Sequence, residues 1–145
     1  MRIKSLGHVV LKVSDLERSE RFYTDVLGMQ VCARLNDPRY HMIFFSLGNH
    51  HELALLEVSG GERPDERAVG LHHAAFCIGD AIDQLVEART HLESAGVACQ
   101  PVDHDVTKSL YFTDPDGNML EVYVDLSDGW RQEPQRIATV APLEL

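Results

Sequence analysis

Apolar and polar residues alternate along Leu6–Val13 (LGHVVLKV), placing His8, Val10 and Lys12 on one side of an extended segment and Val9, Leu11 and Val13 on the other. A period of two predicts a strand. Ser14-Asp15-Leu16-Glu17 then reads as a capping box, with Ser14 as N-cap and Glu17 reaching back. A helical period follows, gathering Leu16, Phe22, Val26 and Leu27 near one stripe, and Gly28 suits the left-handed residue that ends it. Strands are predicted near 29–35, 41–47 and 51–58, divided by Asn36-Asp37-Pro38 and Gly48-Asn49.

Ser59–Gly70 (SGGERPDERAVG) is polar and rich in glycine and charge, and it reads as a linker. The pattern then restarts. A strand is predicted over 71–78, a helix opened by Gly79-Asp80 and closed by Gly96, and strands near 97–102, 109–113 and 119–124. His73 stands where His8 stands, and Asp80 where Asp15 does. The chain therefore reads as an internal duplication of two β-α-β-β-β modules. Module 1 covers about 5–58, the linker 59–70, module 2 about 71–125 and a C-terminal tail 126–145, all within one domain of class α+β. Two curved sheets of this kind can pair and enclose a cleft lined by the strand faces turned away from the helices.

A chain of 145 residues suits one domain. A net charge of -10 argues against a nucleic-acid partner, which needs clustered Lys and Arg, and leaves no polybasic patch for a membrane surface. The first ten residues lack a signal-peptide core, and no apolar run approaches the ~20 residues of a spanning helix. Cys32, Cys77 and Cys99 show no CxxC spacing, which suits reduced packing thiols in a cytoplasmic protein.

The candidate chemistry lies in the last hairpin, His104–Asp125. Asp114-Pro115-Asp116-Gly117 supplies the turn, and Leu120, Val122 and Val124 share the apolar face of the outgoing strand. Glu121 points the other way, with His104 and Tyr111 upstream. If His8, His73 and Glu121 converge in the cleft, they form a two-histidine, one-carboxylate set that leaves coordination positions open on a divalent metal. Taken singly, a strand histidine is most often a core or surface residue and an outward glutamate is solvated. No local spacing such as HExxH is present.

GHVVLKVSDLERSERFYTDVLGM, FTDPDGNMLEVY and the duplication together resemble the vicinal oxygen chelate superfamily, which includes glyoxalase I, fosfomycin-resistance transferases, bleomycin-binding proteins and type I extradiol dioxygenases. The resemblance runs from Leu6 to about Asp125 and implies a metal held by His8, His73 and Glu121. His104, Leu110-Tyr111, Asp114-Pro115-Asp116-Gly117 and Glu121 match the extradiol signature, and HHELALLEV precedes GLHHAAF as in those enzymes. By that resemblance His51 is the acid–base catalyst, Tyr111 hydrogen-bonds a substrate oxygen and His104 touches the substrate's other edge. His50 and His72 flank the site in packing or supporting roles. The implied protein is an Fe(II)-dependent dioxygenase (Mn(II) or another divalent metal being the alternative), acting on a small aromatic diol with O2 and forming a homodimer. It has one domain where the larger extradiol enzymes have two, and its segment between His51 and His73 is longer.

Three rivals remain open. A glyoxalase I-like lyase adds a Glu on the fourth strand of module 1, where Ala54 falls, with Glu52 and Glu57 displaced from that place. A fosfomycin-type thiol transferase needs a cationic phosphonate pocket, for which Lys12 and Lys108 are the lysines at hand. A metal-free binding protein for an aromatic drug usually loses the three ligands that this chain keeps.

Overall fold

The computed structural model describes residues 1–65 and 67–145. The chain divides into two compact units, Met1–Ala68 with Asp114–Asn118, and Val69–Thr113 with Met119–Leu145. The linker expected over 59–70 includes Glu66, which lies outside the described residues.

The first unit contains β1 (Val9–Val13), α1 (Leu16–Arg21), a π-helical turn (Phe22–Val26), β2 (Gln30–Asn36), β3 (His41–Ser46) and β4 (Leu53–Glu57). The second contains β5 (Ala74–Gly79), α2 (Ile82–Ser94), β6 (Gln100–Asp103), β7 (Thr107–Thr113), β8 (Met119–Asp125), two short 3₁₀ turns and β9 (Ala141–Pro142). The sheet orders are β1-β4-β3-β2 and β5-β8-β7-β6-β9. In both, the first and last strands of the module pair in parallel and the rest pair antiparallel. The duplication is therefore present in the topology, and the fold is α+β with two sheets and few helices.

Strand alternation decides which face is buried. Leu11 and Val13 are buried while Val10 and Lys12 are exposed, as the sequence predicts for β1. Leu11, Val13, Tyr23, Ile43, Phe45, Leu53 and Leu55 form the first core. In the second unit Leu85 and Leu92 of α2 are buried with Leu110, Phe112, Leu120, Val122 and Val124, and each such side chain contributes about 1.5–3 kcal/mol.

Helix α1 departs from the sequence reading in two ways. Its N-cap is Asp15, whose carboxylate accepts from the Arg18 N–H at 2.9 Å. Ser14 instead donates to Asp116 at 2.5 Å. The helix then widens, the Leu27 N–H reaching the Phe22 carbonyl at 3.2 Å. That brings both Phe22 and Tyr23 into the core, while Leu16, Val26 and Leu27 of the expected stripe are only half-buried. Gly28 adopts the expected left-handed conformation, at φ 68°. Helix α2 starts at Ile82, later than expected, because Gln84 Oε1 accepts from the Asp80 and Ala81 N–H groups at 2.9 and 3.0 Å.

The turn Asp114–Asn118 packs within the first unit through two buried carboxylates. Asp114 accepts from the Tyr23 hydroxyl at 3.0 Å and from its own turn's N–H groups. Burial, with the negative Asp114 beside it, pushes the Tyr23 phenol far up. Asp116 accepts from Ser14, Arg18 (2.7 Å) and Ser19 (3.3 Å). Burial opposes its ionisation, but the Ser14 and Arg18 hydrogen bonds outweigh it and hold the carboxyl below its ordinary value. Among the described residues no helix is long and apolar enough to cross a membrane.

Candidate metal-binding and catalytic site

In the second unit, register brings Glu121 on β8 beside Ala75 on β5 and opposite Tyr111 on β7. Glu121, Tyr111 and Ser109 thus share the face turned away from Leu120 and Val122. His73 stands immediately before β5, and its Nε2 lies 3.0 Å from Glu121 Oε2. The fully buried Ser109 hydroxyl donates to Glu121 Oε1 at 2.5 Å. Glu121 itself is 6% exposed. Burial, and then the Glu121 carboxylate beside it, push the Tyr111 phenol up to about 12. His72 Nδ1 lies 2.7 Å from His73 Nδ1, so one of these atoms carries the shared hydrogen.

His104 is held from both sides. Its Nδ1 lies 2.7 Å from the Thr139 carbonyl, which can only accept, so that nitrogen carries the hydrogen. In the neutral ring Nε2 is then an acceptor, and the Tyr111 hydroxyl donates to it at 3.0 Å. The supporting loop turns through Asp105 at φ 65°, a left-handed conformation that aspartate tolerates. Asp103 anchors it by accepting from the Asp105 N–H (2.6 Å) and from Lys108 Nζ (2.5 Å). Arg136 of the tail grips Asp105 with two hydrogen bonds, and β9 pairs with β6. The tail therefore braces the segment that presents His104.

The first unit holds the remaining candidates. His8 immediately precedes β1, where the Val9 N–H donates to the Glu52 carbonyl at 3.0 Å. Its ring lies 4.3 Å from that of His51, which in turn meets His50 edge-on at 4.5 Å. Loss of water contact, with His8 and His50 alongside, lowers the His51 pKa below its ordinary value, and Glu52 opposes this. The structure thus brings together His73, Glu121, Tyr111 and His104 in one unit, and His8 and His51 in the other.

Comparing the two modules strand by strand locates the absent carboxylate. Two residues after His73, Ala75 pairs with Glu121; two residues after His8, Val10 pairs with Ala54. Ala54, fully buried, therefore stands at the first module's equivalent of Glu121. Neither nearby glutamate substitutes for it. Glu52 accepts from the Leu47 N–H at 2.8 Å, and Glu57 is engaged by the Leu16 N–H at 3.2 Å and His41 at 3.1 Å.

One residue with a part in this arrangement was not singled out from sequence. Ser109 could have been, since alternation puts it on the Tyr111 face of β7. Three ring-nitrogen donors, from His8, His50 and His51, also cluster within 4.8 Å of one another. A surface hollow of about 530 Å³ beside α1 and another of about 680 Å³ beside Cys77 and Asp125 contain none of the predicted site residues.

The donor chemistry suits a divalent metal. Glu121 is a nearly buried carboxylate whose partners among the described residues are an imidazole and hydroxyls, with no lysine or arginine to offset its charge. Nitrogen and carboxylate oxygen donors facing each other at 3.0 Å match first-row divalent ions.

Residues 5–122 match the family model of the Glyoxalase/Bleomycin resistance protein/Dioxygenase superfamily. Over 126 residues the chain is 39% identical to biphenyl-2,3-diol 1,2-dioxygenase 3 of Rhodococcus globerulus, a stretch that is 83% of this chain and 63% of that protein. The chain thus spans less than two thirds of that relative's length. It is 32% identical over 124 residues to metallothiol transferase FosB of Lysinibacillus sphaericus (strain C3-41), covering 85% of this chain and 84% of that one. A solved glyoxylase/bleomycin resistance protein/dioxygenase domain from Frankia sp. EAN1pec aligns with a TM-score of 0.73 at 27% identity, over 86% of this chain and 99% of that one.

Proposed function

This chain belongs to the Glyoxalase/Bleomycin resistance protein/Dioxygenase superfamily, and within it we propose an Fe(II)-dependent extradiol dioxygenase that opens a catecholic ring beside its hydroxyls with O2. The reading rests above all on the hydrogen-bonded pair Tyr111–His104 set beside Glu121. The fosfomycin-type transferase chemistry has no evident use for His104 or His51.

His8, His73 and Glu121 would hold the metal, and Ser109 would fix one oxygen of Glu121. Bound there, the ion supplies Lewis acidity toward the diol and a redox route between diol and dioxygen. Tyr111, with its phenol pushed up to about 12, keeps its proton at neutral pH and would turn it from His104 Nε2 to a substrate oxygen when the diol binds. His104 Nε2 orients that hydroxyl. His51, a neutral imidazole near pH 7, accepts a proton from an incoming hydroxyl and returns one as the ring opens.

Two structural features weigh against the rivals. Ala54 withholds the additional glutamate of a glyoxalase I-like lyase. Lys108, one of two lysines available for a phosphonate, is committed to Asp103 and to the Asp105 carbonyl. The proposal treats the two units as one domain and the protein as a homodimer, which light scattering on the purified protein will read directly.

The deciding experiment is anaerobic reconstitution with Fe(II), in parallel with Mn(II), followed by a panel of catechols with oxygen uptake and product absorbance recorded. Stoichiometric uptake with a ring-opened product is expected. Absence of uptake with every catechol, alongside turnover of a glutathione hemithioacetal, would sink the reading.

A further inference from the structure

His8, His50 and His51 bring three imidazole donors within 4.8 Å of one another, and no carboxylate is among them. From this geometry we infer a second metal site, made of these three rings, that takes a late first-row ion such as Zn(II). Zinc binds imidazole nitrogen at 2.0–2.1 Å, so three donors on one tetrahedral ion stand about 3.3 Å apart. The rings need to close by about 1.5 Å at most, which small side-chain rotations achieve. Access is open, since His8 and His50 are exposed and His51 is half-buried.

The local structure favours this capture. Phe44 meets the His51 ring edge-on at 5.3 Å and limits its rotation. His50 and His51 are neighbours in the chain, and the Val9–Glu52 hydrogen bond ties the His8 segment beside them. Glu52 is the adjacent carboxylate, and its Oε2 is occupied by the Leu47 N–H. An all-imidazole set suits Zn(II), Ni(II) or Cu(II), whereas Mg(II) and Mn(II) prefer oxygen donors.

The site shares His8 with the proposed Fe(II) triad and His51 with the proposed proton transfer. Zinc bound here therefore withdraws both, and the expected consequence is inhibition by zinc that added Fe(II) does not fully reverse. This consequence rests on the ring-cleavage reading; the binding itself does not.

The test uses the full chain, stripped of metal, with ZnCl2 as the probe. In His73→Ala, which lacks one ligand of the proposed triad, calorimetry should still show one zinc per chain. Imidazole ¹⁵N spectra should show the His8, His50 and His51 signals moving together. His50→Ala, at an exposed position, should bind zinc at least about tenfold more weakly in the same His73→Ala background. Circular dichroism checks that both variants are folded. Absence of zinc binding in folded His73→Ala, or unchanged affinity on adding His50→Ala, overturns the site. Failure of the catechol assay with these zinc results intact removes ring cleavage and leaves the site standing.

Discussion

Ser109→Ala is the sharpest test of how Glu121 is held. Ser109 is fully buried, and its hydroxyl donates to Glu121 Oε1 at 2.5 Å. A hydrogen bond to a charged group contributes about 1.5–3 kcal/mol, and truncation to alanine leaves that carboxylate oxygen without its donor. The space vacated is that of one oxygen atom, so a cavity adds little. The metal-free variant should therefore lose about 1.5–3 kcal/mol, which for a chain of this size is roughly 5–10 °C in Tm. Metal affinity should fall roughly 10- to 100-fold, as it does when a partner that orients a ligand is removed. Thermal unfolding by circular dichroism in the presence of a chelator reads the first effect, and metal titration reads the second. Ser109→Cys, which conserves the shape but donates weakly, should fall between wild type and alanine. An alanine variant that melts within about 1 °C of wild type and binds metal equally well would refute this account of Glu121.

Asp116→Asn probes the buried turn through pH. The folded pKa of Asp116 lies below its ordinary value of 3.8, so its contribution is fully present above that value and is lost as pH falls through the folded pKa. The variant should be less stable at neutral pH and lose less stability on acidification; parallel stability–pH curves for the two proteins would contradict this. His72→Ala removes the Nδ1 partner of His73 and should weaken metal binding about tenfold, measured by titration, with little change in Tm. Arg136→Ala cuts a half-exposed ion pair that solvent screens, so global stability should change little, yet it loosens the loop presenting His104. Its kcat/KM on the best catechol should drop severalfold, and an unchanged value would remove the tail from the site.

Much of the fold was legible because each sheet buries one face, which imposes a period of two on residues such as Leu11 and Val13 or Leu120, Val122 and Val124. The glycines at 28 and 96 were equally readable, since both sit in the left-handed region that ends a helix. What escaped the sequence depends on distant partners. Ser14 and Asp15 are both good N-caps, and the choice between them involves Asp116 at the far end of the chain. The π-helical turn leaves no periodic signature, and β9 is two residues long. In the site, alternation placed Glu121 and Tyr111 on one face, but the hydrogen bond from His104 to the Thr139 carbonyl joins residues that no local pattern links.

The duplication is most informative where its halves differ. Both modules have the same strand order, and both place a histidine just before the first strand, yet only the second carries a carboxylate opposite the residue two places after that histidine, where Glu121 stands and the first module has Ala54. Ala54 in place of a second glutamate has an electrostatic consequence under the proposed reading. Two neutral imidazoles and one carboxylate leave a divalent ion with one positive charge uncompensated, whereas a second carboxylate would cancel it. With such an ion bound, the uncompensated charge would lower the cost of ionising a diol beside it. Ala54 also offers no donor where a glutamate would add one, which would leave room for substrate beside the ion. Under the proposed reading a single small residue on a buried strand would thus bear on both the charge of the ion and the room left beside it. On the same reading Tyr111 and His104 of the second module would supply the hydrogen bonds, and His51 of the first the proton.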